Sequence, residues 1–121
     1  MAQDYDIIVA GAGNAGLSAA MAAREAGARV LVLEKAPREL RGGNSFFTGG
    51  LFRFAFNGID DVASVIHDLT ENERNMVDVG SYPTRAFYED VMRVTEGLSD
   101  PELLELLVSQ SLPTMQWLAR K

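Results

Sequence analysis

Three glycines, Gly11, Gly13 and Gly16, are the residues in this sequence whose types and spacing point most directly to chemistry. They sit in Gly11-Ala12-Gly13-Asn14-Ala15-Gly16, directly after the apolar run Ile7-Ile8-Val9 and at the opening of an alanine-rich helical pattern. Gly11 allows a tight turn off a strand, Gly13 lets a pyrophosphate approach the backbone, and Gly16 lets the helix pack closely on the strand. The first helical turn, near Asn14 to Leu17, then presents backbone N–H groups and a partial positive charge to two phosphates. Glu34 follows 18 residues after Gly16, at the end of a second apolar run, Val30 to Leu33. A carboxylate there can accept hydrogen bonds from ribose hydroxyls, and it disfavours a 2′-phosphate, so NADP is not expected. Its neighbour Lys35 joins the candidate binding set.

A second glycine-rich loop comes next, on the same edge of the expected sheet. Arg41-Gly42-Gly43-Asn44-Ser45 and Thr48-Gly49-Gly50 combine glycine pairs, which permit close backbone approach, with hydrogen-bonding side chains. The fingerprint by itself is compatible with an NAD-binding module. A mobile surface loop is the plain alternative for the second segment.

The elements that must position these loops follow from the pattern. Ile7 to Val9 and Val30 to Leu33 read as strands buried on both faces of a parallel sheet. Leu17 to Ala26 reads as the connecting helix, with Ala19, Ala20, Ala22 and Ala23 permitting close contact and Gly27 ending it. Phe52, Phe54 and Phe56 alternate, which puts them on one side of an extended segment, with an exposed Arg53 opposite. From Asp60 onward helical spacing takes over. Val62, Val65, Ile66, Leu69 and Met76 form one expected helix face, capped by Asp60 or Asp61, and the single histidine, His67, reads as a solvent-facing or packing residue.

Asn72 to Thr84 reads as polar turn, and Thr84 to Glu96 as a helix with Phe87, Val91, Met92 and Val94 or Thr95 inward. Gly97 is expected to stop it. Asp100-Pro101 starts a further helix with an apolar face of Leu103, Leu104, Leu106, Leu107 and Val108, which Pro113 is expected to break or restart. Met115, Trp117 and Leu118 continue its buried side. The fold class implied is α/β: a Rossmann-like βαβ dinucleotide-binding unit with the second loop over residues 1–58, then α-helices over 59–121. Two convincing strands are too few for a complete doubly wound sheet, so the 121 residues are expected to be the N-terminal part of an incomplete domain.

Composition excludes several classes. With 17 acidic and 11 basic side chains, a net charge of −6 and no basic cluster, nucleic acid is not an expected partner. No cysteine is present, so no disulfide, thiolate ligand or redox-active thiol is available, and redox chemistry must come from a bound cofactor. No metal site is expected. No apolar stretch reaches the ~20 residues of a membrane span. The acidic start is unlike a secretory leader, so a cytoplasmic location is expected.

The Asp6–Glu34 fingerprint together with Arg41-Gly-Gly-Asn-Ser45 and Thr48-Gly-Gly50 resembles the FAD-binding domain of the succinate dehydrogenase/fumarate reductase flavoprotein superfamily. Within it, the segment EKAPRELRGGNS looks most like the tricarballylate dehydrogenase branch, with 3-ketosteroid dehydrogenases more distant. The resemblance covers about the first 50 residues. It implies that Gly42, Gly43, Asn44 and Ser45 lie along the pyrophosphate and flavin, and that Thr48, Gly49 and Gly50 pass near the isoalloxazine ring. Membrane-bound members carry a flavin-linking histidine in this loop; Gly43, Asn44 and Ser45 offer none, which implies non-covalent FAD. The implied activity is oxidation or reduction of a carbon–carbon bond beside a carboxylate or carbonyl of a small molecule, with a separate electron acceptor. No catalytic residue is assigned here. A non-catalytic binding protein derived from the fold is a further alternative.

Overall fold

The computed structural model describes Asp4–Lys121; Met1–Gln3, the first part of the acidic start, lie outside the described residues. The chain divides into two units, one up to Leu51 and one from Phe52.

In the first unit, β1 (Ile7–Ala10) leads into α1 (Asn14–Glu25) and then β2 (Val30–Leu33). The strands are parallel, with Ile7 opposite Val30 and Ala10 opposite Leu33. Both ends of the pair are fastened. Asp6 receives the Arg29 guanidinium at 2.9 and 3.1 Å and the Arg29 backbone N–H at 2.8 Å, and Gly11 N–H donates to the Leu33 carbonyl at 2.7 Å. The hydrogen bonds from Arg29 hold the Asp6 carboxyl down at about 2.

Helix α1 packs on this pair through Ala20, its buried residue, and the half-buried Ala23, whereas Ala19 and Ala22 face outward. It ends in a Schellman arrangement: Gly27 takes positive φ while Gly27 and Ala28 N–H groups reach the carbonyls of Arg24 and Ala23. One expectation is corrected. The strands are not buried on both faces, since Ile7, Ile8 and Leu33 are 40%, 63% and 52% exposed. β-Branched composition signals a strand suited to burial, but two strands and one packed helix do not cover both faces.

After β2, the chain makes a short 3-10 turn at Arg38–Leu40 and a second at Gly43–Phe47. Phe46 and Phe47 stack edge to face at 5.2 Å and remain exposed.

In the second unit, Ala55, Phe87, Leu104 and Val108 are buried together, with Tyr82, Tyr88, Val91 and Met92 packed against them. The extended segment before the helices is pinned at two points. Phe56 exchanges backbone hydrogen bonds with Tyr82 at 2.8 and 2.9 Å, and Ala55 N–H donates to Ser111 Oγ at 2.9 Å. Burial therefore falls on Ala55, between the alternating phenylalanines; Phe54 and Phe56 are half-buried and Phe52 is exposed.

The helix expected from Asp60 through Met76 is two short ones, α2 (Ile59–Ala63) and α3 (Glu71–Met76). Gly58, rather than Asp60 or Asp61, is the N-cap of α2, while Asp61 accepts the Asn57 N–H at 2.8 Å. α2 stops at Ala63, and α3 begins anew behind its own start signal, the reciprocal capping box of Thr70 and Glu73. A helical spacing of apolar residues cannot by itself reveal such an internal cap. His67 is exposed.

Helix α4 (Thr84–Val94) buries Phe87 and half-buries Val91, Met92 and Thr95, while Val94 is exposed. It also closes in a Schellman arrangement, but the left-handed position is filled by Glu96 at φ 53°, with Gly97 following. Helix α5 (Pro101–Ala119) starts on the Asp100 side chain and runs through Pro113 without a break, which corrects the expected interruption. Two serines within the turn before Pro113 bond back to backbone carbonyls, Ser109 to Leu106 and Ser111 to Val108. Of its apolar face only Leu104 and Val108, one turn apart, are buried; Leu103, Leu106 and Leu107 are exposed. Among the described residues, no helix is long and apolar enough to cross a membrane.

Candidate cofactor-binding site

The first unit brings three of its segments together around the end of β1. At Gly16 a Cβ would lie 2.0 Å from the Gly11 carbonyl oxygen and 3.4 Å from a Val9 methyl, so α1 starts almost in contact with the strand it leaves. At Gly13 a Cβ would meet the Gly42 oxygen at 3.2 Å and Ser45 Oγ at 3.5 Å. The second glycine loop thus lies directly against the first. Backbone approach excludes a side chain at Gly16 and leaves only tight room for one at Gly13, the close packing a phosphate-binding turn requires.

Three hydrogen bonds, on two side chains, lock this arrangement. Asn14 N–H, at the first position of α1, donates to Ser45 Oγ at 2.9 Å. Glu34 Oε2 accepts the Ala12 N–H at 2.9 Å and its Oε1 accepts the Ala36 N–H at 2.8 Å. The Ala36 and Ala12 amides, with smaller contributions from Gly42 and Lys35, hold the Glu34 carboxyl below the usual glutamate range. Glu34 is therefore an anion fixed by backbone dipoles, and each oxygen retains acceptor capacity. Ala36 was not among the candidates; its place two residues after the acid was the available signal.

The remaining candidates are distributed as follows. Gly42 takes a left-handed φ of 107° and accepts the Ser45 N–H, closing the turn that aims Ser45 at α1. Thr48 Oγ1 donates to the Ser45 carbonyl and accepts the Gly50 N–H, so Thr48, Gly49 and Gly50 form a local turn. Ala15, Lys35, Arg41, Gly43 and Asn44 are exposed. Gly11, Ala12, Gly13, Asn14, Gly16, Glu34, Gly42 and Ser45 are thus brought together, while Thr48 to Gly50 are attached through Ser45. Among the described residues, no group of three or more histidine, cysteine, aspartate or glutamate residues could hold a metal ion.

Strand, tight glycine turn, helix N-terminus and an acid at the end of the second strand make up a candidate nucleotide-phosphate cradle. The model of the FAD binding domain family matches residues 6–121, and the chain belongs to that family. The cofactor this family indicates is FAD. It is 31% identical over 113 residues, 93% of its length, to a fumarate reductase (cytochrome) of Shewanella frigidimarina. Urocanate reductase of Eggerthella lenta is 27% identical over 115 residues, 95% of this chain and 16% of that protein. Vinyl phenol reductase of Lactiplantibacillus plantarum is 52% identical over 48 residues, 40% of this chain and 9% of that protein. The chain spans only 17% of the Shewanella frigidimarina enzyme, so it corresponds to a small part of such relatives.

Proposed function

We propose that this chain holds the ADP portion of a non-covalent FAD in an oxidoreductase acting on a carbon–carbon bond beside a carboxylate or carbonyl. The observation that carries the reading is the meeting of the two glycine loops at Gly13, Gly42 and Ser45, beside an α1 N-terminus with no side chain at its own cap. An NAD module of the same fingerprint has no use for the second loop.

In this reading the βαβ unit is Rossmann-like, and the turn from Gly11 to Gly16 offers the pyrophosphate the α1 dipole and those of its amides that Leu33, Glu34 and Ser45 do not already hold. Glu34, already fixed by Ala12 and Ala36, turns its remaining lone pairs to the adenosine ribose. Lys35 and Arg41 add positive charge at the rim. Gly42, Gly43, Asn44 and Ser45 run along the pyrophosphate and flavin, and Thr48, Gly49 and Gly50 pass the ring. FAD, when bound, supplies the two-electron carrier for adding or removing hydrogen. The loop has no histidine to form a covalent flavin link. Substrate carboxylate recognition and proton transfer belong to residues outside this chain, as does the contact with the electron-transfer partner.

The relatives' names, fumarate, urocanate and vinyl phenol reductase, support the reductive direction. A finer reading, a tricarballylate dehydrogenase-like enzyme, rests on the segment Glu34 to Ser45. The test uses the protein expressed from its complete reading frame, reduced without oxygen and mixed with fumarate, urocanate or cis-aconitate. Reoxidation of the flavin by one of these is expected. A flavin reoxidised by oxygen but by none of the unsaturated acids would overturn the reading. Bleaching of the oxidised protein by tricarballylate would favour the finer one, and its absence beside fumarate turnover would remove it.

A further inference from the structure

The N-cap of α1 is Gly13, which has no side chain to satisfy the first amides, and Ser45, 31 residues beyond Asn14, accepts the Asn14 amide instead. We infer that Ser45 is a positioning residue: its hydroxyl caps α1 from the second glycine loop and holds the two loops in the one spacing that FAD requires. The inference rests on the FAD reading above and adds a mechanism to it, since Ser45 acts through the Asn14 amide.

Three features of the geometry support this. The Asn14 N–H to Ser45 Oγ distance of 2.9 Å is that of a full hydrogen bond. The turn that presents Ser45 is itself closed, from Ser45 N–H to the Gly42 carbonyl at 3.1 Å, so the hydroxyl is aimed by backbone and not by a free rotor alone. The same Gly42 carbonyl sits 3.2 Å from where a Gly13 side chain would begin, so the two loops meet at backbone and at hydroxyl together. A serine, threonine, asparagine or aspartate at a helix start fills this role in most helices. Here the cap is supplied across the fold, so its loss releases the second loop as well as the helix end.

The test is a double-mutant cycle on the protein from its complete reading frame, reading the rate of FAD release. Ser45→Ala is expected to release FAD about fivefold faster, the worth of one helix cap, and Ser45→Thr, which keeps the hydroxyl, to restore retention. Asn14→Pro deletes the donor at a position where proline suits a helix start, after a Gly13 already extended at φ −80° and ψ 179°. In that background Ser45→Ala is expected to add nothing. A full additional loss would place the hydroxyl on the cofactor itself and overturn the inference. A second measurement does not depend on the cofactor: amide hydrogen exchange at Asn14 in the apoprotein should quicken in Ser45→Ala and recover in Ser45→Thr. Unchanged exchange overturns the capping role. A protein that binds no flavin but shows the quickened exchange would refute the FAD reading and leave the cap intact.

Discussion

Replacing Gly16 by alanine tests the geometry at its tightest point. The new methyl would start 2.0 Å from the Gly11 carbonyl oxygen and 3.0 Å from its carbon. Ordinary contact begins near 3.4 Å, so β1 and α1 must separate by about 1.4 Å. The obstructing atoms are backbone and cannot rotate aside. Overpacking of this kind costs about 3 kcal/mol, and alanine's better helix propensity returns about 1 kcal/mol, leaving about 2 kcal/mol. If the strain is carried by the loop that receives FAD, the Kd for FAD rises about 30-fold. Titration of apoprotein with FAD, followed by flavin fluorescence, measures this, and urea unfolding measures the stability part. Gly27→Ala is the control, since Gly27 has positive φ but nothing within 4 Å of the added methyl. It should lose about 1 kcal/mol of stability and leave FAD affinity unchanged. A Gly16→Ala protein with parental FAD affinity and parental unfolding would refute the argument that strand, turn and helix meet as described.

Other substitutions separate the remaining contacts. Glu34→Gln keeps the shape but can accept from only one of the Ala12 and Ala36 amides, so FAD retention should fall even though a ribose could still be bonded; retention equal to the parent would remove the clamp role. Because the Asp6 carboxyl is held at about 2 against 3.8, its contribution is present above 3.8 and lost as pH falls toward about 2. Acid unfolding curves of Asp6→Asn should therefore be flatter than the parent's across that window, and less so in high salt, because the pair is exposed. Glu96→Gly relieves a left-handed residue at the end of α4 and, after the flexibility glycine adds to the unfolded chain, should stabilise by about 0.5 kcal/mol in denaturant titration.

The βαβ unit was legible because its signals are local and mutually consistent: β-branched runs, a glycine turn and a helix stop at Gly27 fall in order within 29 residues, Asp6 to Glu34. The approach of the two glycine loops was legible only as a shared edge. That Ser45 rather than a residue of the turn itself caps α1 depends on tertiary closure, to which periodicity is blind. The division between α2 and α3 was hidden for the opposite reason. Val62, Val65, Ile66 and Leu69 keep helical spacing although α2 already stops at Ala63 and α3 starts only at Glu71, behind the capping box of Thr70 and Glu73. Pro113 misled because its cost to a helix is a few kcal/mol, a size that tertiary packing around Val108 and Ser111 can override.

The fingerprint from Asp6 to Glu34 and the loop from Arg41 to Gly50 together make one claim, that this protein carries FAD without a covalent bond. Acid precipitation of the purified protein from its complete reading frame tests it most directly. The account predicts a colourless pellet and one equivalent of FAD in the supernatant. A yellow pellet, or a supernatant holding NAD and no flavin, would contradict it.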